Sequence, residues 1–167
     1  MKKKTLAVIL IMFILIIAAV LFIRNNVLFI PSSIGETKEF SKDGLCITLT
    51  DEFVEMESQV GFDAYYVTDY CGVMVLKEPF SLEDGLAERP LSEYIQNVIA
   101  NNGHTDIEPQ QVDDLWYYVN DTDGLRYYSY CYKGSDAFWV VQFGCYREDA
   151  AALEDLFYMF ASSVKVD

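Results

Sequence analysis

Leu115-Trp116-Tyr117-Tyr118-Val119, Leu125-Arg126-Tyr127-Tyr128-Ser129-Tyr130-Cys131-Tyr132 and Phe138-Trp139-Val140-Val141-Gln142-Phe143-Gly144-Cys145-Tyr146 follow one another almost without a break. Only Asn120-Asp121-Thr122-Asp123-Gly124 and Lys133-Gly134-Ser135-Asp136 separate them. Each run has strand length and is rich in aromatic and β-branched side chains, and both connectors are built of turn residues. Strands so close in sequence pair as an antiparallel meander. All three are apolar or aromatic in both alternating phases, so both faces of their sheet should be covered.

Working outward, Leu45-Cys46-Ile47-Thr48-Leu49-Thr50 alternates as a strand does, and Ala64–Thr68 with Val73–Lys77 form a hairpin around Asp69–Gly72. Two segments have a helical period instead. Leu91, Tyr94, Ile95, Val98 and Ile99 make one apolar stripe, with Pro90 suited to the first turn and Gly103 to the exit. Leu153, Leu156, Phe157, Phe160, Ala161 and Val164 make another, with Glu148 and Asp149 at its start, where the helix dipole favours acids. Each stripe has only the sheet to lie on. The expected fold class is α+β: an antiparallel β-sheet of about six strands flanked by two or more α-helices, preceded by one N-terminal transmembrane helix.

That last element rests on the charge distribution. The 167 residues include 12 basic and 26 acidic side chains, a formal charge of −14. Residues 1–30 contain no acid and four basic groups (Lys2, Lys3, Lys4 and Arg24), and Thr5–Ile23 is uncharged and dominated by Leu, Ile, Val, Phe and Ala. A helix over 5–23, at about 1.5 Å per residue, matches the bilayer's hydrocarbon core. The run is longer than a signal-peptide core, and no pair of small residues follows it closely, so it is read as an uncleaved anchor. Three lysines before it and one arginine after it place residues 1–4 in the cytoplasm, and hence the rest of the chain outside. Residues 24–39, interrupted by Pro31-Ser32-Ser33 and Gly35, read as a tether, and 40–167 as the extracytoplasmic domain. The expected localisation is the cell membrane, single-pass. Acidity this strong argues against nucleic acid as a partner.

Candidates for chemistry are few. Cys46, Cys71, Cys131 and Cys145 show no CxxC spacing, so zinc is disfavoured, and four cysteines leave three disulfide pairings open, or none. The single histidine, His104, sits in the polar turn Asn102-Gly103-His104-Thr105 and reads as a surface residue. No Gly-x-Ser-x-Gly elbow and no phosphate-binding loop appears, and no cofactor is expected. Asp121-Thr122-Asp123-Gly124 resembles the opening of a calcium loop, but Leu125-Arg126-Tyr127 resumes a strand, which makes it a β-turn. Asn120-Asp121-Thr122 has the form of a glycosylation acceptor, a triplet common by chance.

Arg126, Tyr128, Tyr130 and Tyr132 share one phase of their strand, so all four point to one face. Tyr and Arg are enriched at binding hot spots, and these four are the candidate binding residues. The alternative is that the rings lie beneath a helix with their hydroxyls at its rim.

Taken with the order of elements, Phe40…Ile47-Thr48-Leu49…Phe53, Leu91-Ser92-Glu93-Tyr94, Phe138-Trp139-Val140-Val141-Gln142-Phe143 and Phe160…Ser163-Val164 resemble the PsbP-like and Mog-like fold group. The matching features are patterned hydrophobics, and no individual residue role carries over. The resemblance implies a non-catalytic protein. Members include extrinsic photosystem subunits that stabilise a membrane complex and a Ran-binding import factor, and bacterial relatives are anchored or lipidated. The leading expectation is therefore a membrane-anchored, non-catalytic domain that binds a protein or another envelope component. One alternative is an immunity-type protein, whose acidity steers it to a basic toxin outside the membrane. Another is an enzyme or metal protein working through Asp, Glu and Tyr.

Overall fold

A computed structural model describes residues 35–57 and 61–167. The strands are β1 (Thr37–Lys42), β2 (Leu45–Thr50), β3 (Val54–Met56), β4 (Ala64–Val67), β5 (Cys71–Pro79), β6 (Gln110–Val112), β7 (Leu115–Thr122), β8 (Leu125–Lys133), β9 (Ala137–Tyr146) and β10 (Lys165–Val166). Helix α1 spans Leu91–Asn101 and α2 spans Ala150–Ser162. The strands form two sheets, one of seven strands in the order β3-β4-β5-β9-β8-β7-β6 and one of three in the order β1-β2-β10. Every pairing is antiparallel.

The meander of β7, β8 and β9 and the β4–β5 hairpin are as the sequence predicts. Two of the connections are two-residue Asp-Gly turns. Asp43-Gly44 (φ 48° and 98°) joins β1 to β2, and Asp123-Gly124 (φ 52° and 84°) joins β7 to β8. Positive φ at both positions is the I′ geometry, whose twist suits a hairpin and which fixes Lys42 opposite Leu45 and Thr122 opposite Leu125. The sequence Asp121–Gly124 thus turns a hairpin.

Strand β9 lies at the centre of the large sheet. Its Trp139, Val141, Phe143 and Cys145 face a core shared with Ile47 and Leu49 of β2 and with Leu153, Phe157 and Phe160 of α2. Phe138 and Val140 face the other way, into a second core with Leu86 and with Tyr94, Ile95 and Ile99 of α1. Both faces are covered, as the double-phase apolar pattern requires, but one is covered by a helix together with a second small sheet. The single sheet of about six strands is thereby corrected to two sheets. Strand β1 begins at Thr37, inside the stretch read as a tether, because Phe40 is pinned in the core and the hairpin carries its polar neighbours along.

The C-terminal residues close the small sheet. Lys165 and Val166 pair with Cys46 and Leu45, and the Asp167 amide donates to the Gly44 carbonyl at 2.9 Å. Helix α2 stops at Ser162, so Val164 falls just past it rather than on its stripe. The Ser163 hydroxyl accepts from the Thr48 amide at 2.9 Å and donates to the Phe160 carbonyl at 2.7 Å, tying the helix end to β2. Among the described residues no helix is long and apolar enough to cross a membrane, and the tail and anchor read over 1–4 and 5–23 lie outside those residues.

Candidate functional site

Arg126, Tyr128, Tyr130 and Tyr132 do lie in one phase of β8, but α2 covers the rings. Tyr128 and Tyr130 are only 2% and 3% exposed. Tyr128 meets Phe157 edge-on at 5.6 Å, and Tyr130 meets Phe143 edge-on at 5.7 Å while stacking on Tyr117 at 5.1 Å. The Tyr132 hydroxyl donates to the Ala161 carbonyl at 2.9 Å. Arg126 closes the row with a two-pronged pair to Asp121, at 2.8 and 2.9 Å, and Arg147 approaches the same carboxylate at 3.3 Å. The hydrogen bond from Arg126, and then the charges of Arg126 and Arg147, hold the Asp121 carboxyl below its usual range. Tyr128 and Tyr130 thus lie in the core beneath α2, the alternative read from the sequence, because the helix needs an apolar bed and these rings provide it, while Arg126 and Tyr132 stay half-buried.

Burial has a measurable consequence for the tyrosines. It pushes the Tyr66 phenol up to about 12, and it raises those of Tyr118, Tyr128, Tyr130 and Tyr132. In the unfolded chain these phenols ionise near pH 10. A group with a raised folded value contributes stability in full below its unfolded pKa and loses it as pH rises through the folded one. We therefore expect stability to decline from about pH 10 toward 12, with phenolate absorbance from the buried rings rising together with loss of far-ultraviolet ellipticity. Phenolate release well ahead of unfolding would contradict that burial.

The cysteines are placed in different settings: Cys71 and Cys145 in the core under α2, Cys131 in the core under α1, and Cys46 half-buried on β2. Asn120, in the acceptor-like triplet, is 8% exposed and thus shielded from a glycosylating enzyme. His104 leans on the Tyr118 ring at 6.3 Å. Among the described residues no group of three or more His, Cys, Asp or Glu is placed to hold a metal.

The open surface lies on the α1 side of the large sheet. Seven strands at about 4.8 Å span roughly 29 Å, whereas a helix with its side chains is about 10 Å wide. Helix α1 packs on Tyr118, Cys131, Phe138 and Val140, which belong to β7, β8 and β9, and among the described residues no helix lies over the β4–β5 half, where Tyr65, Val67, Met74 and Leu76 are half-buried. There the structure holds a cleft of about 480 Å³. Its floor is Met74 and Leu76 of β5 with Val140 and Gln142 of β9, and its wall is the Tyr94–Asn101 side of α1. Tyr94 is fixed by stacking on Phe138 at 4.0 Å and 9°, and burial, with Glu78 nearby, pushes its phenol far above the usual value.

Apolar floor and amide wall make this cleft a place for hydrogen bonding and contact. Asn97, Asn101, Asn102 and Gln142 present neutral donors and acceptors. At the rim, Arg89 is bound to Glu83 at 2.9 Å and to Glu93 at 3.5 Å. The described lining contains no serine, cysteine, lysine or histidine. Of its two carboxylates, Glu83 is the one held by Arg89, leaving Glu78 without a second free acid beside it.

Beyond the cleft the same face continues over two glycines. Gly72 and Gly144 sit directly opposite each other, with half-buried Tyr65 and Tyr127 laid across them. A Cβ on Gly144 would come within 2.9 Å of the Tyr127 ring, and one on Gly72 within 3.4 Å of the Tyr65 ring. Glycines inside strands mark a close approach, and Gly72 and Gly144 were the available signal.

No protein-family model matches the sequence, and no curated protein does either. Among solved structures, the backbone is similar to the solution structure of cyanobacterial PsbP (CyanoP) from Synechocystis sp. PCC 6803, with a TM-score of 0.51. The likeness covers 81% of this chain and 95% of that one at 13% identity. This likeness shows the architecture: the chain has a PsbP-like fold.

Proposed function

We propose that this protein is a membrane-anchored, non-catalytic accessory domain that uses the uncovered α1 face of its large sheet to bind a protein partner of the cell envelope. The observation that carries the reading is the cleft of about 480 Å³ beside α1, continuous with the Tyr65–Tyr127 surface. The PsbP-like fold, similar to the solved structure of a cyanobacterial PsbP, supports the accessory role. Residues 5–23 act as the anchor and the domain lies outside, on the strength of the uncharged run and the lysines before it.

Charge gives the partner its character. From residue 31 onward the chain has eight basic and 26 acidic groups, and five of those cations, Lys42, Lys77, Arg89, Arg126 and Arg147, are paired to acids. The surplus of acid favours a partner with a basic surface and a rate of association that falls with salt. The test is capture from detergent-solubilised membranes with the full-length chain, comparing wild type with Met74→Arg, Asn97→Arg and, on the outer side of α2, Asp155→Arg. Capture of the partner should drop at least tenfold for the first two and less than twofold for the third. Equal capture by all three would remove the cleft from the interface, and recovery of the chain in the soluble fraction would remove the anchor.

A further inference from the structure

The two central strands of the large sheet bring a pair of cysteines face to face. Cys71 of β5 is the register partner of Cys145 of β9, and both side chains enter the core under α2. The backbone hydrogen bonds show which kind of pair this is. The Cys71 amide donates to the Thr68 hydroxyl at 3.1 Å, and its carbonyl accepts from the Thr68 amide at 2.9 Å, so both its polar groups turn away from β9. On β9, the Arg147 amide donates to the Gly124 carbonyl at 2.9 Å, on the β8 side. Cys145, two residues earlier, has the same orientation, away from β5. Cys71 and Cys145 are therefore a non-hydrogen-bonded antiparallel pair, the class in which Cα atoms approach to about 4.5 Å and side chains lie closest. That spacing falls within the range a disulfide spans, about 4.4–6.8 Å.

We propose that Cys71 and Cys145 close a cross-strand disulfide that locks β5 to β9. The remaining cysteines have no such partner: Cys131 points to the opposite face of the sheet, and Cys46 on β2 lies opposite Ser41 and Lys165. The chemistry is thiol–disulfide exchange with a small disulfide oxidant. One cysteine thiolate attacks the oxidant and releases one thiol, giving a mixed disulfide. The second cysteine thiolate then displaces the other thiol, so that two cysteine protons and two electrons pass to the oxidant and one S–S bond forms in the protein. Burial pushes the folded Cys71 thiol up to about 12 and that of Cys145 up to about 11. The bond therefore forms while the core is still open to solvent, and it is shielded from reductant afterwards.

The test uses the full-length chain in detergent, refolded from the reduced, denatured state in buffer containing oxidised and reduced glutathione. Free thiols are labelled with a maleimide in denaturant, and digests are read by mass spectrometry. Two labelled thiols, at Cys46 and Cys131, are expected, with a peptide pair linked through Cys71 and Cys145. The C46A/C131A variant should keep the link, and C71A or C145A should lose it. Reduction should lower the Tm of the wild type by about 10 °C and that of C71A/C145A by less than about 2 °C. Four labelled thiols in the refolded wild type, or a link through Cys46 or Cys131, would overturn the proposal.

Discussion

Phe143→Ala should lower the stability of the folded domain by about 3–5 kcal/mol. Phe143 is fully buried, stacks on Phe157 at 5.2 Å and Phe160 at 6.3 Å, and receives the edge of Tyr130 at 5.7 Å. It thus joins β9, β8 and the C-terminal half of α2, and its removal leaves a hole that three rigid rings cannot close. Urea denaturation followed by ellipticity checks it, with Leu82→Ala, at a residue 70% exposed, as the control expected to change stability by less than about 0.5 kcal/mol. A loss below about 1 kcal/mol for Phe143→Ala would mean that α2 does not pack on β9 as described.

Gly134→Ala should cost about 1–3 kcal/mol, and the reason is backbone rather than side chain. A Cβ at this position would collide with the carbonyl oxygen of Asp167, and would press on Trp139 Nε1 at 3.3 Å and the Ala137 carbonyl at 3.4 Å. The same Asp167 carbonyl accepts from the Ser135 amide at 2.6 Å. One added methyl group therefore pushes β10 off β2 and frees both ends of that clasp. Hydrogen exchange at residues 165–167 should quicken, and a double-mutant cycle against a chain lacking those residues should show the cost vanish in the shortened background. An equal cost in both backgrounds would place the strain elsewhere.

The parts of this architecture legible in the sequence are those held by local pattern. β7, β8 and β9 announce themselves by aromatic content and turn residues, and α1 and α2 by stripes that a helix alone can bury. β1 escapes because five of its six residues are polar and only Phe40 is buried, so that periodicity has a single point to work from. β3 and β6 are three residues each and wholly exposed, and β10 is two residues long. Such strands exist because a neighbour offers them hydrogen bonds, which composition does not record. The candidate surface was missed for a related reason. Strand β8 is aromatic on both sides, and nothing within it says which side α2 will take. That choice depends on the β2–α2 contact made through Ser163 and Thr48, 115 residues apart.

The order of strands across the large sheet also bears on how the molecule comes together. β3-β4-β5 runs in chain order and β9-β8-β7-β6 runs in reverse chain order, so each half is a continuous up-and-down ribbon of near neighbours. The halves meet along a single seam, β5 on β9, whose registered pairs run from Cys71 with Cys145 to Pro79 with Ala137. Either ribbon assembles from short-range contacts, and only their docking has to close the long excursion through α1, an entropic toll met before the seam returns any contact energy. The slow step of folding is therefore expected at the middle of the finished sheet, between two pieces built of near neighbours.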